Sequence, residues 1–253
     1  MLGKLFITLK GFNAAAMKFD LHIHSHLSYD SLSSINAIVQ YARKRDLRGI
    51  AITDHNISAS DTIVRTDLDS DLWIIKGNEV KTDIGDIIGL FISGPLRNTK
   101  ANALIDEIHD QGGIAVLAHP FKYRRNYPPL LLEKLDAVEV INSRWIDLGS
   151  LKANPAVDQL LATVKGRSAG SDAHFPFEVG RACWVTPHIK TPEDLKKSIC
   201  SNSGQAFACR TSEWLDGASQ CVKFIKHPSA RQLAYITYRL LRRRAFAGRK
   251  EIS

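Results

Sequence analysis

Short apolar runs recur from residue 17 onward, each ending on a polar or titratable residue and most followed by a stretch of helical periodicity. Phe19, Leu21 and Ile23 alternate with Asp20, His22 and His24, the two-residue period of a strand. The run at 47–53 delivers Asp54 and His55, 72–77 delivers Glu79, and 86–91 is a further apolar run after Gly85. Residues 114–118 deliver His119, 137–141 deliver Asn142, 167–170 deliver the segment from Ser171 to His174, and 182–185 are strand-like. Between them, Ile35, Ile38, Val39 and Ala42 repeat at helical spacing behind the cap candidates Ser33 and Ser34. A second helix is predicted over 103–111, with Gly112 and Gly113 as its stop, and a third over 155–164. Thr191-Pro192-Glu193-Asp194 is a capped helix start. The alternation, about seven repeats, predicts parallel strands with crossover helices, whose C-terminal ends converge on one face. Residues 205–221 carry no clear pattern.

Composition limits this picture. The chain has 253 residues, 44% hydrophobic and 24% charged, which suits a soluble domain. Its organisation is predicted as an extension over 1–16, a barrel domain over 17–215 and a basic, helical tail over 216–253. The apolar run after Lys4 stops within about five residues, too short for a signal peptide, and no run approaches the ~18 residues of a membrane span. Cys183, Cys200, Cys209 and Cys221 form no metal-type pair in sequence and read as reduced thiols of a cytoplasmic protein, with two disulfides as the alternative.

The net charge of +8 belongs to one segment. Residues 222–253 hold nine Lys/Arg and one Glu, which leaves the rest of the chain neutral, without a broad footprint for nucleic acid. Within that tail, Leu233, Ile236, Leu240 and Leu241 mark a helix over 228–246. Three placements compete for it: against the barrel, on an anionic membrane, or on nucleic acid.

The chemistry is carried by the strand tips. Two imidazoles at i and i+2 of a strand share a face roughly 6.6 Å apart and can lean onto one metal at ~2.0–2.1 Å. Collected along the chain, the tips offer His22, His24, Asp30, His55, Glu79, Asp86, His119, Asp172 and His174. Each alone has an ordinary structural reading. Together, without cations, they would crowd like charges into one pocket.

Asp20-Leu21-His22-x-His24-Ser25, Ile52-Thr53-Asp54-His55, Gly77-x-Glu79, Ala118-His119-Pro120 and Gly170-Ser171-Asp172-Ala173-His174 stand in the order of the PHP (polymerase and histidinol phosphatase) family, which residues 18–210 resemble. The resemblance implies an α/β fold, a distorted (β/α)7 barrel with two or three divalent ions, zinc, manganese or iron, at the strands' C-terminal ends. It implies hydrolysis of phosphoesters by a metal-bound hydroxide. His22, His24, Glu79 and Asp172 would hold one ion; Glu79 would bridge to a second with His119; Asp30, His55 and His174 would take a third. Asp86 stands where many members place another histidine for the second ion, a departure that favours a harder ion such as manganese. Glu79 and Asp172 would fix metal geometry, while His174 or a bound water would protonate the leaving group.

Asp54 and Asp20 are candidates to accept the second ring N–H of a ligating histidine. Lys122, Arg124, Arg125, Arg144 and Arg181 are candidate phosphate anchors, each with an ordinary surface cation as its alternative. Ser171 lacks a nucleophile elbow and no cysteine has a motif partner. The expected substrate is a small phosphorylated metabolite or nucleotide. The alternative is a metal-containing binding or regulatory module that works through its basic tail.

Overall fold

Phe19, Leu21 and Ile23 are buried, and so are His22 and His24, so β1 (Ala16–Ile23) has protein on both faces. It is the first strand of a computed structural model that describes residues 16–55, 72–122, 127–145, 155–187, 189–209 and 211–247. The predicted extension, Arg124, Arg125 and the chain beyond 247 lie outside the described residues.

The strands that follow are β2 (Gly49–Ile52), β3 (Trp73–Lys81), β4 (Asp86–Leu90), β5 (Ile114–Leu117), β6 (Ala137–Asn142), β7 (Gly166–Gly170), β8 (Ala182–Pro187) and β9 (Gln205–Ala208). They form one sheet in the order β7-β6-β5-β4-β3-β2-β1-β8-β9. One edge of β1 pairs with β2. The other edge is divided. Its first half, Ala16 to Phe19, pairs antiparallel with β8, whereas its far end meets the segment after β7. There the Asp172 N–H donates to the His22 carbonyl at 2.8 Å and the His24 N–H to the Ala173 carbonyl at 2.9 Å. These bonds curl the first seven strands into a nearly closed barrel, and the antiparallel pair β8–β9, joined through a helix, continues outside the count of seven. Gly170 permits the approach, because a Cβ there would overlap the Cβ of His22.

Not every strand is parallel, contrary to the sequence-based expectation. β4 runs antiparallel to both β3 and β5. The β3–β4 connection is a tight turn, closed by Thr82 N–H and Oγ1 donating to the Gly85 carbonyl, with Gly85 at φ 147°. No crossover helix fits between strands so closely joined.

Helices cover the outside. Ile38, Val39 and Ala42 of α1 (Ile35–Lys44) pack with Ile50, Ile52 and Val185, and Ser34 caps the helix through the Ala37 N–H. Leu104, Ile105 and Ile108 of α2 (Ala101–Asp110) pack with Val80, Ile87 and Leu117. A short α3 (Pro129–Leu132) and α4 (Pro155–Thr163) follow, and α5 (Pro192–Cys200) starts at the predicted Thr191/Asp194 capping box. Leu21, Ala51, Ile75, Ile88 and Val116, from five consecutive strands, fill the barrel beneath its mouth. Two helices close the described chain, α6 (Glu213–Lys226) and α7 (Ala230–Ala247). The first arises where the sequence pattern was silent.

Candidate metal centre

All nine predicted ligands arrive at one end of the barrel. His22 closes β1 with His24 just beyond it; Asp30 lies in the loop before α1; His55 follows β2; Glu79 is within β3; His119 follows β5; Asp172 and His174 follow β7. Asp86 reaches the same end because β4 is reversed, so its first residue, paired with Lys81, faces the mouth.

The polar atoms interlock. Nε2 of His22 and Nε2 of His24 are 3.1 Å apart. Asp172 Oδ1 lies 3.6 and 3.2 Å from them, and Glu79 Oε2 lies 3.4 and 3.3 Å away. The other oxygen of Glu79 is 3.0 Å from His119 Nε2, which is 3.8 Å from Asp86. Asp30 Oδ2 stands 3.5 Å from His55 Nε2 and 3.3 Å from His174 Nε2. His55 Nδ1 is 3.1 Å from Glu79 Oε2, so Glu79 touches every part of the cluster.

Three of the imidazoles have their other nitrogen committed elsewhere. His22 Nδ1 donates to Glu139 Oε1 at 3.0 Å, since a carboxylate accepts only. His24 Nδ1 donates to Ser28 Oγ at 3.1 Å, because that hydroxyl spends its single proton on Asp54. His174 Nδ1 donates to the Asp172 carbonyl at 2.9 Å. Each therefore points Nε2 into the cluster, and in their neutral form His22 and His24 would oppose lone pairs at 3.1 Å. A cation between them removes the conflict. Asp30 Oδ1, buried without a hydrogen-bond partner, is a further acceptor that a cation would satisfy. The donor set fits divalent metal.

The electrostatics agree. Burial alone would keep His22 and His24 neutral, but the surrounding carboxylates outweigh it. Glu139, Asp172 and Glu79 lift His22 well above its ordinary value, and Asp172 and Glu79 lift His24 to about 9. Glu79 and Asp172 are held well below the carboxylate range against the pull of burial, chiefly by the charge of His22. His174 is lowered, by burial and then by the charge of Arg144. Asp86 is raised, by burial and then by Glu79.

Several supports escaped the sequence reading. Glu139 holds His22 through one oxygen and the His119 N–H through the other, at 2.8 Å. Its only trace in sequence is a charge within the apolar run Ala-Val-Glu-Val-Ile. Ser31 Oγ bonds the His24 and His174 carbonyls, and Ser33 Oγ bonds the latter too, so the serines after β1 stitch the seam. Glu178 accepts the His174 and Phe175 N–H groups and fixes that loop. His119 and Asp172 have φ values of 26° and 55°, backbone strain placed at the cluster.

Asp54 and Asp20 are placed differently from expectation. Asp54 reaches Ser25 and Ser28 and acts on His24 through Ser28, not on His55. Asp20 is fully buried, bound to the Ser171 and Gly180 N–H groups, and burial pushes its carboxyl up to about 6. It ties the seam rather than the His22 ring.

Above the cluster opens a cavity of about 740 Å³. Lys122 lines it, with Nζ 4.3 Å from the centre of the Trp145 ring. Arg144 lines it as well, with its guanidinium held by buried Glu178 at 2.6 Å and by Ser219 Oγ of α6 at 3.0 Å. Arg181 lies outside the cavity lining, in the turn before β8.

The model of the PHP domain matches residues 20–135. A protein of uncharacterised function from Methanocaldococcus jannaschii, MJ0417, is 30% identical over 220 residues, covering 82% of this chain and 86% of the relative. The chain belongs to the PHP domain family. Among solved structures, its fold is similar to a two-domain protein from Bacteroides vulgatus containing a predicted PHP-like metal-dependent phosphoesterase, with TM-score 0.59, 18% identity and coverage of 81% of this chain and 69% of that one. It is also similar to the lesion-specific endonuclease PfuEndoQ from Pyrococcus furiosus, with TM-score 0.54, 16% identity and coverage of 78% and 60%. Both have the distorted barrel in common with this chain. Among the described residues no helix is long and apolar enough to cross a membrane.

Proposed function

We propose that this PHP-family protein hydrolyses a phosphoester of a small phosphorylated metabolite or nucleotide with two or three bound zinc, manganese or iron ions. The observation that carries the reading is the set of three histidines whose Nδ1 protons are spent outward while their Nε2 atoms face Glu79, Asp172 and Asp30. His22, His24, Glu79 and Asp172 would hold one ion, Glu79, His119 and Asp86 a second, and Asp30, His55 and His174 a third. Bound there, divalent ions lower the pKa of water from about 15.7 to about 7 and offset charge on the attacked phosphate.

The chain's own groups set position. Glu79 and Asp172 are engaged by imidazoles on every side and serve as anchors rather than nucleophiles. His174, kept neutral by burial and Arg144, suits holding a cation better than donating a proton. Two features favour a small substrate: α6 and α7 form one wall of the cavity, and the barrel body is neutral in sequence. Leu215, Ser219 and Val222 of α6 are buried, whereas Leu233 and Tyr235 of α7 are exposed, which leaves that face of α7 open to a partner. Four unpaired thiols support a cytoplasmic setting.

The test is metal analysis of the purified protein followed by a panel of phosphomonoesters and diesters. At least two equivalents of metal are expected, with turnover abolished by chelation and restored by manganese or zinc. A protein that binds no metal, or a loaded protein inert toward both panels, overturns the reading.

A further inference from the structure

The α6–α7 wall of the cavity carries charged side chains to which the phosphoesterase reading gives no role. On α6, Asp216, Ser219, Gln220 and Lys223 fall at i, i+3, i+4 and i+7 and face the cavity, while Leu215 and Val222 of the same helix are buried. On α7, Arg231 and Tyr235 are one turn apart and face it too. The helix is held at both ends of this stripe. Ser219 receives the Arg144 guanidinium, and Lys226 Nζ donates to the carbonyls of His26, Ser28 and Ser31 at 2.7, 2.8 and 2.7 Å. Those three carbonyls belong to the loop that carries Asp30.

Lys223 is fixed relative to the metal cluster by an aromatic spacer. The Tyr29 ring stacks on His55 at 4.7 Å and 10°, and Lys223 Nζ sits 4.4 Å from the centre of the same ring. Tyr29 therefore touches both His55 of the cluster and Lys223 of the cavity wall, and ties the position of the ammonium to that of the cluster. Arg231 adds a second cation to the hairpin wall, and Asp216 is the one acid among the described residues that line it.

Resting on the phosphoesterase reading, we propose that Lys223 and Arg231 form a second anion subsite, which takes a phosphate or carboxylate elsewhere on the same substrate and so selects ligands with two anionic groups. The C-terminal hairpin is then the specificity element of the enzyme. A cation pre-set by cation–π contact and a guanidinium capable of bidentate binding are suited to such a group.

The experiment is calorimetric titration of the metal-loaded full chain with phosphonates, whose P–C bond does not turn over. Phenylphosphonate carries one anionic group, phosphonobutyrate adds a carboxylate, and butane bisphosphonate adds a second phosphonate. The wild type should bind at least one two-anion probe about tenfold or more tightly than phenylphosphonate. In Lys223→Gln/Arg231→Gln that preference should fall about tenfold at unchanged metal content and melting temperature, and Lys223→Arg/Arg231→Lys should retain it. Preference for the bisphosphonate alone assigns a phosphate to the subsite; preference shared with phosphonobutyrate assigns any anion. Absence of preference in the wild type, its survival in the double glutamine variant, or its loss together with metal overturns the proposal. Because binding is read without turnover, an inert phosphoester panel leaves this result legible on its own.

Discussion

At the His22–His24–Asp172 heart of the cluster the imidazoles are fully buried and each is braced from behind, His22 by Glu139 and His24 by Ser28. At the Asp86–His119 flank the carboxylate side chain is 16% exposed and lies 3.8 Å from its imidazole, and burial with the charge of Glu79 pushes it up rather than down. The difference follows from backbone origin. The heart is assembled across the barrel seam, where inter-segment hydrogen bonds fix the spacing of β1 and the β7 tip. The flank hangs on the first residue of a reversed strand, next to a turn. The His22–His24–Asp172 spacing is fixed by the seam, whereas Asp86 stands further from its imidazole neighbour and more open to solvent.

His24→Ala should break the comparison at its strong end. Removing a braced ligand from the heart should abolish binding of at least one ion and lower turnover by about a thousandfold or more, read by metal analysis and kinetics. Asp86→Ala should remove one ion while the others stay, with a loss of about a hundredfold. Asp86→His should recover binding with an altered metal preference. Unchanged metal content in Asp86→Ala would remove Asp86 from the centre. Glu139→Gln keeps shape but leaves an amide NH2 facing either His22 Nδ1–H or the His119 N–H, so metal affinity should fall about tenfold, measured by competition with a chelator.

The smallest effect is on stability against pH. With His24 raised to about 9, its contribution in the metal-free protein is complete below the unfolded value of about 6.5 and disappears as pH rises through about 9. Glu79 and Asp172, held low, contribute above about pH 4.5 and lose that contribution in acid. The melting temperature of chelated protein should therefore fall between about pH 6.5 and 9. Metal-loaded protein should not show that decline, because its ligands are already neutral imidazoles.

Most strands and helices were legible because each obeys a local rule: alternation in β1, helical spacing in α1 and α2, the capped start at Thr191; the candidate ligands stood out as polar residues at strand tips, which the fold gathers at one end. What was hidden was long-range. Nothing around Asp86 announces a reversed strand, since period two is the same in either direction, and only the short Thr82–Gly85 turn leaves no room for a crossover. Glu139 resembles any charge interrupting a strand until the fold brings His22 to it. The sequence placed a helical tail from 216 but marked neither the start of α6 at Glu213 nor its end at Lys226, because its cavity-facing stripe is polar where a surface helix would also be polar. The tail's arginines dominated the charge count, yet Lys223 and Lys226, less conspicuous in sequence, make the contacts with the Asp30 loop and Tyr29.

The divided edge of β1 also governs the order in which this molecule can be made. Asp20 receives the Ser171 N–H from 151 residues further along the chain, and the His24 amide waits for the carbonyl of Ala173. A growing polypeptide leaves the ribosome at roughly 5–20 residues per second, so His22 and His24 emerge many seconds before their partners. During that interval two closely spaced imidazoles are in solvent without Glu79 or Asp172, able to capture stray metal only weakly. The hydrogen bonds that close the seam can therefore form only after the chain through Ala173 has emerged.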